Sequence, residues 1–202
     1  MKHSEVAYSK IRKMIALTEL RPGEEIIVSE LMKQLSLGKT PIREALNRLS
    51  YEGFIKVMPR KGMLVTHLSV DDLNELRALR VYFVKFVSEQ IIAHTCGEDI
   101  ERLRGIQDKL KGKNETFMNA IEADLEFHEV TYELCRNKYA ERMLKINLYL
   151  SIRLMVVQKP LNVTVKSVIK NYEQLIDGIH SRDVSTLEAF FLNHINEEME
   201  RT

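Results

Sequence analysis

Two basic side chains and a hydroxyl lie close together in the sequence near residue 40. Lys39, Thr40 and Arg43 stand at the start of a segment in which apolar residues recur with helical spacing as far as Leu49. A hydroxyl residue followed by Pro41 is typical of a helix start, with Thr40 as the cap and proline at the first helical position. A DNA-recognition helix contacts bases and phosphates with side chains at its N-terminal end, and arginine pairs bidentately with guanine. Lys39, Thr40 and Arg43 are therefore predicted DNA contacts.

A second basic cluster lies in a predicted turn. Pro59, Arg60, Lys61 and Gly62 separate two short β-prone runs, at 54–57 and 63–66, which is typical of a hairpin. Basic side chains at a hairpin tip contact the phosphate backbone or enter the minor groove. Arg60, Lys61 and Gly62 therefore complete the predicted DNA-binding set.

The charge of the 202-residue chain is unevenly distributed. Its formal net charge is +1, but residues 1–68 contain twelve Lys and Arg against seven Glu and no Asp, a net charge of +5. The remaining residues contain 18 basic and 22 acidic side chains, a net charge of −4. This split favours an anionic partner for the first part of the chain only.

The arrangement of elements that must position these residues is predicted by hydrophobic spacing. Helices expected over 4–18 and 28–35 precede the helix that begins at Thr40, and the hairpin follows it, which together indicate a winged helix-turn-helix over residues 1–68. After residue 68, long segments with few glycines and prolines favour helices. Ser69 and Asp72 have the spacing of a capping box at the first of them.

The helices expected in this second part follow one another to the C-terminus, at 69–94, 98–111, 115–135, 139–158, 164–181 and 184–200. The predicted fold class is mainly α, with the winged helix-turn-helix followed by an antiparallel bundle of about six helices over residues 69–202.

The first part of the chain resembles a known family. Thr-Pro-Ile-Arg-Glu-Ala-Leu at 40–46, Glu-Gly at 52–53 and Pro-Arg-Lys-Gly at 59–62 closely match the DNA-binding domain of GntR-type bacterial transcriptional regulators. The family usually has Ser-Arg where this chain has Gly38-Lys39. The resemblance implies a sequence-specific transcriptional regulator. A homodimer that places two recognition helices on a pseudo-palindromic operator is then expected.

Residues 69–200 resemble the FCD effector-binding domain of the FadR-like branch, in which one Asp and three His bind a divalent metal beside an organic-acid effector. Asp124 and His128 match the first ligand pair, and their i, i+4 spacing places both side chains on one face of a helix. His194 matches the last ligand. Tyr172 stands where the family has its remaining His, and a phenol is a poor metal ligand at neutral pH.

Three interpretations of these residues remain open at this point. In the first, a Zn- or Ni-type ion is held by Asp124, His128 and His194 together with water. In the second, the site holds no metal and its polar groups hydrogen-bond an effector directly. In the third, these residues are polar members of the bundle core whose hydrogen bonds are made within the protein.

Arg80, Arg153 and Tyr172 are predicted effector contacts. Each arginine lies within an apolar run, and a buried arginine must be paired either by the protein or by a ligand. A salt bridge between helices or at the surface is the alternative for each.

The function predicted from these features is a DNA-binding transcriptional regulator, most simply a repressor, whose operator affinity changes when a small organic acid binds the helical domain. A metal-responsive repressor is the alternative, and a metal-dependent hydrolase is a remote one because the sequence has no nucleophile elbow, phosphate-binding loop or dinucleotide fingerprint. No stretch approaches the ~20 apolar residues of a membrane helix, and no secretory signal begins the chain, so a cytoplasmic protein is expected.

Overall fold

The computed structural model describes residues 2–60, 62–158 and 163–200. Lys61, one of the predicted DNA contacts, lies outside the described residues. The described chain forms two units, one made of residues Met1–Asn74 and Tyr149–Lys159 and the other of Glu75–Leu148 and Pro160–Thr202.

The first unit is built on a winged helix-turn-helix, as predicted. Apolar residues on one face of its first and third helices, among them Ile11, Ile15 and Leu46, are fully buried against each other. Its elements in chain order are α1 (His3–Ala16), α2 (Val28–Leu35), α3 (Lys39–Tyr51), β1 (Ile55–Met58) and β2 (Gly62–Val65).

The predicted start of α3 is wrong by two residues, and so is its cap. The helix begins at Lys39, and Gly38 occupies the capping position in an extended conformation with no side-chain hydrogen bond. Thr40 and Pro41 therefore lie inside the first turn. Proline is tolerated there because the amides of a first helical turn have no acceptor within the helix.

The predicted hairpin is present, with each strand displaced by one residue from the prediction. Ile55 pairs with Val65 and Met58 pairs with Gly62 in antiparallel register. Gly62 therefore belongs to the strand end rather than to the turn, and Arg60 lies in the turn with a positive φ of 64°.

The six helices expected after residue 68 are all found among the described residues, with ends within two residues of the predicted ones. They are α4 (Val70–His94), α5 (Gly97–Lys111), α6 (Phe117–Leu134), α7 (Lys138–Gln158), α8 (Val165–Ser181) and α9 (Val184–Glu200). The Ser69 hydroxyl accepts a hydrogen bond from the Asp72 amide and the Asp72 carboxylate accepts one from the Ser69 amide, which confirms the capping box.

The most buried helix of the second unit is α6. Apolar side chains on opposite sides of it, such as Leu125 and Phe127, are both buried, and so are Asp124 and His128. Only one side of the helix reaches solvent, along the line of Glu122, Glu126, Glu129 and Glu133. The remaining sides of α6, which carry Asp124 and His128, face the interior of the bundle.

The boundary at residue 68 remains a prediction. The start of α4 and the end of α7 group with the first unit, so both helices have residues in each unit. No helix in the described part of the chain is long and apolar enough to cross a membrane.

Candidate functional site

The N-terminal end of α3 presents the three predicted polar side chains to solvent. Lys39, Thr40 and Arg43 are exposed, whereas Ile42 and Ala45 on the opposite face are buried. None of the three polar side chains forms a hydrogen bond or ion pair with another described residue. Their donors are therefore available to an external anion, as a phosphate- or base-reading surface requires.

The hairpin places Arg60 at an exposed tip. Gly62 at the start of β2 has a φ of 80°, and a Cβ at this position would lie 3.1 Å from a carboxylate oxygen of Glu25. Both the positive φ and the close carboxylate favour glycine here. Gly62 thus shapes the hairpin tip, and its own contribution to DNA binding stays a prediction.

A partly buried polar network that the sequence analysis missed fixes α3 on α1. The Tyr8 hydroxyl donates to the Glu52 carboxylate at 2.7 Å, and Arg48 donates to the same carboxylate at 3.1 Å. The Arg48 guanidinium also lies 3.6 Å from the centroid of the Tyr8 ring. The i, i+4 spacing of Arg48 and Glu52 was the one available signal, but the contribution of Tyr8 depends on helix packing.

Arg153 lies at the base of the hairpin, within the first unit. Its side chain is 1% exposed, and both terminal nitrogens donate to the Thr66 hydroxyl at 3.1 Å. Burial lowers the pKa of Arg153 to about 10, against the opposing attraction of the Asp72 carboxylate. Arg153 thus belongs to the first unit, whereas Arg80 and Tyr172, the other predicted effector contacts, belong to the second.

Asp124, His128 and His194 form a compact buried cluster in the second unit. The Nε2 atoms of the two histidines are 3.1 Å apart, and His128 Nε2 is 3.8 Å from an Asp124 carboxylate oxygen. One ligand atom from each of the three residues lies within 4.8 Å of the others. The cluster joins α6 to α9, two helices far apart in sequence.

The second ring nitrogen of His194 faces a side chain on α8. The amide nitrogen of Asn171 lies 3.4 Å from His194 Nδ1. The two orientations of an asparagine amide differ only by exchange of nitrogen and oxygen. With the oxygen in this place, Nδ1–H would donate to it and the Nε2 lone pair would face the cluster.

Two family descriptions match successive parts of the chain. "Bacterial regulatory proteins, gntR family" matches residues 3–65, and "FCD domain" matches residues 65–197. The chain belongs to the GntR family. It is a DNA-binding transcriptional regulator with an FCD domain. Since members of the family are regulators rather than enzymes, the family lends no support to the hydrolase alternative.

Relatives and solved structures agree with this membership. The HTH-type transcriptional regulator YdhC of Bacillus subtilis is 23% identical over 204 residues, which cover 96% of this chain and 88% of YdhC. The HTH-type transcriptional repressor NanR of Cronobacter sakazakii is 23% identical over 220 residues, covering 96% of this chain and 83% of NanR. The structure of E. coli McbR/YncC has a TM-score of 0.82 at 18% identity, with 99% of this chain and 96% of that chain covered, so its fold is shared.

The donor set of this GntR-family chain fits a divalent metal. One carboxylate and two imidazoles suit zinc- or nickel-type ions. Two nitrogens bound at about 2.1 Å to one tetrahedral ion lie about 3.4 Å apart, close to the 3.1 Å between the histidine nitrogens. When bound, such an ion would supply a positive charge that attracts a carboxylate.

Tyr172 is fully buried on α8 but does not behave as a fourth ligand. Its hydroxyl makes no hydrogen bond with any described residue. Burial raises the pKa of this phenol far above its ordinary value of 10, and the nearby carboxylates of Glu126 and Asp124 raise it further. The phenol therefore remains protonated, and it suits hydrogen-bond donation better than metal ligation.

A small cavity adjoins the two histidines of the cluster. Arg80, Tyr132 and apolar side chains from α4 and α9 line it together with His128 and His194, and its volume is about 30 Å³. Arg80 thus lies in the same cavity wall as two candidate metal ligands, and its contact with an effector stays a prediction. Tyr172 and Arg153 are not among the lining residues.

Proposed function

We propose that this GntR-family regulator is a repressor that binds a pseudo-palindromic operator as a homodimer and releases it when a small organic acid enters the bundle. The name of NanR, a repressor that aligns with 96% of this chain, supports the direction of regulation. A regulator of bacterial genes acts where the chromosome is, so the cytoplasm is the proposed location. The observation that carries the proposal is the exposed set Lys39, Thr40 and Arg43 at the start of α3, which has no polar partner among the described residues.

The DNA-reading assignment is tested by Arg43→Ala in the full chain. The operator used is the duplex that the parent protein selects from a random-sequence library. Loss of a bidentate guanine contact should cost ~1–3 kcal/mol of binding free energy and relax the preference at one base position. Arg104→Ala removes an exposed arginine of α5 that pairs with Glu101 and serves as the matched control. Equal affinity of Arg43→Ala and parent protein for this duplex would show that Arg43 is not the base-reading residue.

The homodimer is supported by an exposed apolar stripe on α4. Leu79 is 52% exposed and Tyr82 is 83% exposed, and Phe83 and Phe86 continue the same helix face at i, i+3, i+4 and i+7 spacing. Stripes of this kind are typical of helix–helix interfaces, and a two-fold dimer buries the same patch on both subunits.

The mass of the protein in solution tests this stripe. Tyr82→Glu should convert a dimer into a monomer by sedimentation equilibrium, whereas Tyr51→Glu, at a position 93% exposed on α3, should leave the mass unchanged. A dimer that persists in Tyr82→Glu would place the interface elsewhere.

Ligand control is supported by the size and lining of the cavity beside the cluster. A volume of about 30 Å³ holds about one or two waters, whereas ligand sites measure roughly 300–1,000 Å³. Arg80 and the histidines would receive the carboxylate of an acid, and the rest of the acid would require α4, α6 and α9 to separate. A ligand that binds the widened state more tightly shifts the equilibrium toward that state. We propose that this state has the lower operator affinity.

Calorimetry of the purified protein distinguishes metal binding from acid binding. The ligands are Zn²⁺ alone, Ni²⁺ alone, and a panel of small carboxylic acids with and without metal. His128→Ala should abolish metal uptake, whereas His180→Ala, an exposed histidine of α8, should not change it. An acid that binds parent protein but not Arg80→Met supports the assignment of Arg80. Absence of metal uptake by the parent chain rules out the metal interpretation and leaves direct binding of the acid.

A metal-responsive repressor is the second candidate function, favoured by the Asp124, His128 and His194 cluster itself. The two candidates differ in one measurement. If Zn²⁺ or Ni²⁺ alone shifts the affinity for the selected duplex, the ion is the signal. If only a carboxylic acid shifts it, the ion is a cofactor or is not needed.

A further inference from the structure

Thr66 lies at the junction of the hairpin and the recognition helix. It directly follows β2, and its amide donates to the carbonyl of Phe54 at 3.0 Å. Its hydroxyl donates to the carbonyl of Gly53 at 2.7 Å, and Gly53 lies just after the end of α3. Thr66 therefore links the open end of the β1–β2 hairpin, which is the wing of the winged helix-turn-helix, to the backbone that follows the recognition helix α3.

Arg153 on α7 completes the hydrogen bonding of this hydroxyl. Both of its terminal nitrogens donate to Thr66 Oγ1, so the hydroxyl donates to the backbone and accepts from the guanidinium. Asp72, in the first turn of α4, adds an electrostatic attraction. One arginine thereby fixes the base of the wing from a helix that is distant in sequence.

A second arginine contact holds the same end of α7. The guanidinium of Arg12 on α1 lies 3.8 Å from the centroid of the buried Tyr149 ring and donates to the Tyr8 hydroxyl at 3.0 Å. Tyr149 and Arg153 are four residues apart, hence on one face of α7. This face is therefore attached both to α1 and to the wing base within the first unit.

The location of Arg153 is unfavourable for stability alone. Its guanidinium is 1% exposed, and burying a charge carries a desolvation cost that a neutral hydroxyl offsets only in part. An apolar side chain of similar length would fill the space without that cost. The geometry suits a residue that orients the wing.

We propose that Arg153 is a positioning residue for DNA binding, which acts through Thr66 to hold the wing and its Arg60 at a fixed angle to α3. The proposal rests on the assignment of the wing as a DNA contact. It gives Arg153 a role that differs from the effector contact predicted from sequence. It also makes the C-terminal end of α7 part of the DNA-reading unit.

The test measures affinity of the full chain for the selected duplex by fluorescence anisotropy. Arg153→Met, which keeps the length and removes the donors, should lower affinity by about tenfold, equivalent to the loss of one hydrogen bond to a charged group. Arg153→Lys, which keeps one donor to Thr66, should recover part of the loss. Arg102→Met removes an arginine of α5 that pairs with Glu133 and should not change affinity.

Double variants distinguish positioning from general loss of structure. If Arg153 acts through the wing, Arg153→Met should have little further effect when Arg60 is already alanine, whereas its loss should multiply with that of Arg43→Ala. If Arg153→Met lowers DNA affinity by the same factor in the Arg60→Ala protein as in the Arg43→Ala protein, the proposal is overturned. That result would show a general weakening of the domain.

Hydrogen exchange of the free protein provides a readout without DNA. Arg153→Met should speed exchange of the amides of residues 62–66 while those in the middle of α3 keep their protection. Unchanged exchange at 62–66 would overturn the positioning role. If exchange there rises but Arg60→Ala alone leaves affinity unchanged, the wing is not a DNA contact, and the failure belongs to the proposed function rather than to the Arg153 contact.

Discussion

The two candidate sites of this protein lie at opposite extremes of burial. At the start of α3, Lys39 and Arg43 project into solvent and contact no described partner, whereas in the bundle Asp124, His128 and His194 are each less than 8% exposed. A DNA duplex can only be contacted from outside, so its site needs exposed donors on a rigid support. An ion or a small acid is better held where water is excluded, so that site needs several helices to converge.

This difference predicts how substitutions behave. Substitutions on the reading surface, formed by Lys39, Thr40 and Arg43, should alter DNA affinity and leave folding unaffected, because surface side chains contribute little to stability. Changes in the buried cluster should alter stability and ligand binding together, since the same side chains fill the core.

The largest effect on stability is expected for Phe127→Ala. The Phe127 ring is fully buried, with its centroid 5.1 Å from that of Tyr172 and 5.6 Å from that of His194, so it packs against both. The cavity left by the ring should lower the free energy of unfolding by ~3–5 kcal/mol in urea denaturation. Tyr139→Ala, at a position 74% exposed, should change it by less than about 0.5 kcal/mol. Similar changes in unfolding free energy for the two variants would contradict the expected difference between core and surface positions.

A smaller loss is expected for Asp99→Asn at the start of α5. The Asp99 carboxylate accepts from the Cys96 amide and from Arg136 at 2.6 Å. Burial alone would raise the pKa of Asp99, but these hydrogen bonds and the Arg136 charge outweigh it and lower the pKa below its ordinary 3.8. Removing the charge should cost ~1–2 kcal/mol of unfolding free energy at pH 7.

The sign of the pH dependence follows from this lowered pKa. The stabilisation from Asp99 is fully present above the ordinary pKa and is lost as pH falls through the lower, folded-state value. The difference in unfolding free energy between parent and Asp99→Asn should therefore shrink below about pH 4. A difference that stays constant from pH 7 to pH 3 would show that the carboxylate charge has no part in the effect.

A gain in stability is expected for Tyr172→Phe. Its hydroxyl is buried and makes no hydrogen bond with any described residue. Removing an unsatisfied polar group should raise the unfolding free energy by about 1 kcal/mol in the ligand-free protein. A loss of stability instead would indicate a partner for the hydroxyl, and weaker binding of an acid by this variant would identify that partner as the effector.

The smallest effect on stability is expected for Lys39→Ala, which tests the reading surface. The unfolding free energy should change by less than about 0.5 kcal/mol. The slope of log affinity against log salt concentration should fall by about 1 if the lysine neutralises one phosphate. An unchanged slope together with unchanged affinity would remove Lys39 from the interface.

The elements of the fold were predictable because their signals are local. Apolar spacing located the helices, and Ser69 with Asp72 marked the start of α4 as the structure has it. The predicted cap at Thr40 was wrong because glycine also caps a helix when its backbone is extended, and Gly38 left no side-chain signal. A shift of one or two residues in a predicted helix end does not change the face of the helix on which a side chain lies.

The candidate sites were predictable to different degrees. Lys39, Thr40 and Arg43 follow one another within a single helix, so their common location depended on that helix alone. The resemblance to the FCD domain indicated Asp124, His128 and His194, whose convergence depends on the packing of α6 and α9. For Arg153 the apolar neighbours in the sequence indicated burial, but its partner could not be predicted from them. Only the tertiary structure places it against Thr66.

By itself the sequence determined the order and class of the elements, the basic first third and the family, because these depend on neighbours a few residues apart. The tertiary structure decided which buried polar groups meet, namely His128 with His194, Tyr8 with Glu52 and Arg153 with Thr66. Such pairs lie from 44 to 87 residues apart in the chain. Their partners are therefore chosen by packing of the core, which excludes water and leaves each buried group only the donors and acceptors that other helices bring to it.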